Sequence, residues 1–155
     1  MRTTSAISAV VPLFMAGLAY AGGSPPTDAG FTFDIPAGAG CDFPVNWTVT
    51  GKSSFIALPG DRFIITAPKQ KVVVTNLDIP SNSVSFVVTS AFHASTDSNG
   101  DLIFVATGRS LFGDPVANTM LFGTGNFSWR FDPVNSALLD FSGTGQLVDV
   151  CAMID

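Results

Sequence analysis

Glutamate is missing from this sequence: the 12 acidic residues are all aspartate. Glutamate is a helix former and aspartate a turn residue, so this choice of acid already disfavours helix. Histidine occurs once, as His93, which excludes a histidine-rich zinc site. Charged residues make up only 12% of the chain and hydrophobic residues 46%, a balance that excludes a charge-rich disordered protein. Lysine and arginine are scarce, 7 in all, and the net charge is −5. An acidic surface argues against nucleic acid or an anionic membrane as partner. After the first 21 residues no apolar run is long enough to span a bilayer, so no membrane span is expected in the mature protein.

What is present at the N-terminus reads as an export signal. Arg2 supplies a positive start, Ala6 to Leu18 an apolar stretch, and Ala19-Tyr20-Ala21 the small residues a signal peptidase accepts. Cleavage after Ala21 is expected. A membrane anchor is the weaker reading, because the run is short and Pro12 interrupts it. The sequence therefore divides into a signal peptide (1–21), a flexible leader rich in Gly, Pro and small residues (22–40) and an all-β domain (41–155), with a secreted, extracellular location. Losing Arg2 leaves 6 basic against 12 acidic residues, a mature net charge of −6.

Two cysteines, Cys41 and Cys151, bracket the domain. An even count in an exported chain implies a disulfide. Two cysteines without histidine neighbours make a poor metal pair, so no metal and no cofactor are expected. Two sequons, Asn46-Trp47-Thr48 and Asn126-Phe127-Ser128, offer glycosylation sites in a eukaryotic secretory pathway.

Short β-branched and aromatic runs, broken by turn residues, fill the rest of the chain. Phe31 to Ile35 can pair as an edge strand. Val45, Trp47 and Val49 alternate with Asn46, Thr48 and Thr50, which puts the apolar side chains on one face. Strands are expected at Ser53 to Leu58, Arg62 to Ala67 (stopped by Pro68), Lys71 to Leu77, Ser83 to Ser95, Leu102 to Phe112, Thr119 to Phe131 and Ala137 to Val150. Pro59-Gly60-Asp61 and the Asn99-Gly100 pair mark turns. Glycines inside strand patterns, Gly108, Gly123, Gly125, Gly143 and Gly145, suggest bulges or sharp bends. The fold class is all-β: an antiparallel meander forming an up-and-down barrel or a β-sandwich, with one disulfide.

Candidate chemistry is sparse. Asp97 and Asp101 are the carboxylates nearest His93, and a solvent-facing histidine explains that residue equally well. Most aspartates sit in turns, while Asp140 and Asp149 lie within a strand pattern. Phe141-Ser142-Gly143 lacks the leading glycine of a hydrolase elbow. Arg109 shares parity with Ile103, Val105 and Leu111, so it either pairs with an aspartate, reaches into a pocket, or snorkels beside Gly108. Trp47, Phe127, Trp129 and Phe131 either line a cavity for an apolar ligand or form solid core.

The stretches LPGDRFIITAP (58–68), VTNLD (74–78), TGRSL (107–111) and SGTGQLVDVC (142–151) resemble a group of small secreted β-proteins of unassigned function from actinobacteria and filamentous fungi. That resemblance implies no activity or catalytic residue. The sequence points to a non-enzymatic binding module for a small apolar ligand or a surface partner, with Trp47, Arg109, Phe127 and Trp129 as candidate contacts. A structural protein at the cell surface and a hydrolase or isomerase on a barrel scaffold are the alternatives.

Overall fold

The computed structural model describes residues 25–114, 119–135 and 137–155. The signal peptide expected at 1–21 lies outside the described residues. The chain forms one antiparallel sheet of nine strands: β1 (Thr27–Asp28), β2 (Phe31–Ile35), β3 (Val45–Thr50), β4 (Lys52–Leu58), β5 (Arg62–Asn76), β6 (Ser83–Thr96), β7 (Leu102–Asp114), β8 (Thr119–Asp132) and β9 (Ala137–Asp149). A short helix, α1 (Cys151–Ile154), ends it. From β4 to β9 each strand pairs with the next, giving the expected meander, while β3 pairs with β2 and β5. The sheet does not close on itself among the described residues.

The two-residue alternation holds where it is cleanest. Val45 and Val49 of β3, Val72 and Val74 of β5, and Phe86 and Val88 of β6 are buried on one face. The expected break at Pro68 is absent. β5 runs from Arg62 to Asn76 as one strand, and Pro68 and Lys69 sit in a bulge between Ala67 and Gln70. A bulge carries a residue with no ladder partner, so a proline without an N–H is tolerated there. The segment read as a leader contains β1 and β2, and β2 pairs along its whole length with β3.

The ladder between β6 and β7 stops early. It runs from Thr96↔Leu102 to Thr89↔Arg109 and goes no further. Below that point β6 stays paired with β5 down to Ser83, while β7 continues with β8 to Asp114. The two halves of the sheet thus fork. Their separated ends meet again face to face, with the rings of Phe86 (β6) and Phe122 (β8) stacked at 4.3 Å between centroids. Such a pair contributes about 0.5–1.5 kcal/mol beyond its buried area. Met120, Val150 and Ile154 complete this core.

The fork lies on a row of small residues that crosses five strands in register: Ala67, Ser90, Gly108, Gly125 and Gly145. The three glycines have φ of 94°, 149° and 145°. A Cβ on Gly125 would run into the Thr144 carbonyl oxygen, and one on Gly145 into that of Thr124. Only glycine combines this backbone conformation with this closeness of neighbouring chains.

The Cys41–Cys151 disulfide closes the bottom of the core across 110 residues, with Cα atoms 5.6 Å apart. Buried Asn76 reinforces it. Its Nδ2 donates to the Ile154 carbonyl at 3.0 Å, and its Oδ1 accepts from the amides of Asp78 and Ile79. Asn82 Nδ2 donates to the Asp155 carbonyl at 2.9 Å.

Two outcomes are expected. Gly125→Ala should lower unfolding free energy by about 2–4 kcal/mol, because backbone strain and a backbone clash act together. Urea denaturation measures it, and a loss under about 0.5 kcal/mol contradicts the requirement for glycine. Replacing both cysteines by alanine should cost about 4–5 kcal/mol on the chain-entropy account of a loop this long. An unchanged denaturation midpoint would show that Asn76 and the apolar core hold the C-terminus unaided.

Candidate functional site

Where β7 leaves β6, the sheet opens into a slot of about 200 Å³. Phe31 and Trp47 form one wall, Val88 and Phe92 of β6 the floor, and Ser110 and Leu111 of β7 the far side. No charged residue lines it. Trp47 is held in place from two directions: its indole N–H points to Met120 Sδ at 3.0 Å, and its ring lies 5.5 Å from that of Phe33. Ser110 is the first residue of β7 beyond the last β6 pair. It is 7% exposed, and its Oγ has no hydrogen-bond partner among the described residues.

Trp129 stands elsewhere. It sits in an aromatic cluster with Phe92, Phe104, Phe112 and Phe141 at centroid distances of 5.7, 5.6, 5.4 and 6.4 Å. Together with Leu102, Phe104, Phe131 and Leu138 it lines an open apolar groove of about 380 Å³. Trp47 and Trp129 therefore face two different hollows, and Phe92, which lines the slot, also packs against Trp129. Phe127 is core: it is 4% exposed and packs between Phe112 and Phe141. Its ring fills the space a side chain would need at Gly123 and Gly143. Arg109 is exposed, with its guanidinium 5.6 Å from the Phe122 ring centroid, and it lines neither hollow.

The aspartates nearest His93 in sequence answer a different cation. Asp97 and Asp101, at the two ends of the β6–β7 turn, lie 3.9 and 4.0 Å from Arg130 Nη1, and Asp140 lies 3.2 Å from its Nε. The Nε hydrogen is not aligned on that oxygen, so the last contact is an ion pair rather than a hydrogen bond. Arg130 offsets the three carboxylates, and no group of three metal-ligating side chains occurs among the described residues. Asp97 also accepts the backbone N–H of Asn99 and Asp101, which makes it a turn residue first. Arg130 was not singled out in the sequence. The signal for it is its register position directly opposite Asp140, which becomes visible only once β8 and β9 are paired.

His93, Val105, Ser128 and Ser142 form one row across β6 to β9. Ser128 Oγ and Ser142 Oγ are 3.1 Å apart, but His93 is two strands from Ser128, roughly 10 Å at the usual strand spacing. That separation is too long for a base to take a hydroxyl proton. Asp149 accepts the Ala152 amide at 3.1 Å and lines a polar cleft beside the disulfide together with Asp42 and Asp155. Of the sequon asparagines, Asn126 is exposed, whereas Asn46 donates to Thr32 Oγ1 at 3.2 Å and to Asp34 Oδ1 at 2.6 Å.

Asp132 titrates below the ordinary carboxylate range. The Asn135 side-chain amide contributes most, followed by the backbone N–H groups of Asn135 and Val134. A lowered folded-state pKa contributes stability that is present above the unfolded value near ~3.9 and is lost as pH falls through the folded value. Asn135→Ala should therefore move the Asp132 midpoint back up in an NMR pH titration, and an unmoved midpoint would contradict this cause. No helix among the described residues is long and apolar enough to cross a membrane. Comparison with protein-family models, with curated proteins and with solved structures finds no match to this chain.

Proposed function

We propose that this is an exported binding protein, without catalytic activity, that takes a small apolar ligand into the slot beside Trp47. One observation carries the reading: the separation of β7 from β6 opens a half-open, uncharged and largely apolar recess in the face of a small domain. Small-molecule sites have this character, an apolar wall with a few placed polar groups. Export is supported by the signal pattern at residues 1–21 and by a disulfide, which suits an oxidising compartment. The groups that suggested an enzyme are dispersed, with His93, Ser142 and Arg109 outside the slot.

A surface partner is the second reading. Phe31, Phe33 and Phe55 are 51%, 41% and 60% exposed, and exposed apolar surface of this kind is what partner contacts use.

The chain has two tryptophans, so its two indole N–H signals in a 15N-labelled sample separate these sites. Titration with naphthalene should shift the Trp47 signal and leave that of Trp129 near its starting position. Naphthalene carries no charge and fits the volume. If neither signal moves up to the solubility limit, the ligand-binding reading fails. If only the Trp129 signal moves, the open groove and not the slot is the site.

A further inference from the structure

We infer that the slot selects a small neutral ligand bearing one hydrogen-bonding group, which seats on the Ser110 hydroxyl. This rests on the ligand-binding reading above and specifies the chemistry of the same site.

Three observations point to that class. The first is Ser110 itself. The residue lines the slot and is 7% exposed, and its Oγ is covered and finds no partner among the described residues, so a ligand meets the hydroxyl through rotation about χ1. Buried hydroxyl groups in folded proteins are nearly always paired, because an unpaired one has lost its water without replacement. The fork explains how this one arises. The β6–β7 ladder ends at Thr89↔Arg109, so Ser110 has no partner opposite it on β6.

The second observation is charge. The lining holds no Lys, Arg, His or Asp, and Arg109 beside Ser110 turns outward over Phe122. An ionised ligand would enter without a counter-charge, which burial penalises heavily. Ser90 and Gln70 are the other polar side chains on the wall, and both are neutral.

The third is size. About 200 Å³ is somewhat more than the roughly 150 Å³ apolar cavity that accepts a benzene ring. One substituted ring, two fused rings or a short chain fits. A hydroxyl both donates and accepts, so alcohols, phenols, ketones and amides of this size all qualify.

Naphthalene and 2-naphthol test this as a pair, since they differ by one hydroxyl and both are neutral at pH 7. Binding is followed at the Trp47 indole signal in the wild type and in Ser110→Ala. The wild type should bind 2-naphthol about tenfold more tightly than naphthalene, as one buried hydrogen bond to an otherwise unpaired group warrants. In Ser110→Ala the two should bind within about twofold of each other, and the thermal midpoint should stay level or rise, because the variant removes an unpaired buried hydroxyl. Equal binding of the pair by the wild type overturns the role given to Ser110 and leaves the apolar site standing. A preference that survives in Ser110→Ala also overturns it, in favour of Ser90 or Gln70. Binding of neither compound overturns the site altogether.

Discussion

The structure depends on a steric constraint: at Gly108, Gly125 and Gly145 neighbouring backbones approach so closely that no side chain fits between them. These residues stand opposite one another on β7, β8 and β9, and all three take positive φ. A sheet with ordinary residues along that line would continue flat from β6 into β7. Here the ladder parts, the lower ends of β7 to β9 turn away, and Phe122 comes down on Phe86. One sheet, not closed among the described residues, thereby acquires a two-sided core. The same parting leaves the recess beside Trp47, with Ser110 among its lining residues, so core and recess have a common origin.

What keeps the folded-over half in place is the end of the chain. Val150 and Ile154 are buried in the core, and Cys151 ties the last turn back to Cys41 ahead of β3. Asn76, at the end of β5, spends its side chain on the Ile154 carbonyl and on the start of the next turn. Long-range closure of this kind suits a small domain whose contacts are dominated by sheet pairing, since chain entropy opposes such pairing most.

Much of this was legible in the sequence because it follows from alternation and turn chemistry. Val45, Trp47 and Val49 declare their inward face by parity alone. Pro59-Gly60-Asp61 and Asn99-Gly100 mark two hairpins because their backbone conformations suit few other residues. The bend glycines stood out inside strand patterns. Their mutual register did not, because it is a property of three paired strands and not of any one. For the same reason β5 reads as two strands: Pro68 forbids a ladder bond locally, and only the pairing with β6 shows a bulge absorbing it. Arg130 and Ser110 were missed on similar grounds. An arginine gains its three aspartates, and a serine loses its partner, through contacts made by strands distant in sequence.

The most direct measurement is a nuclear Overhauser experiment on the folded protein with assigned Phe86 and Phe122 ring protons. The folded-over sheet predicts strong cross-peaks between these rings, which belong to strands that are not neighbours in the sheet. Absence of those cross-peaks, with amide contacts continuing between β6 and β7 below Thr89 and Arg109, would mean that the sheet runs flat and that the slot does not exist.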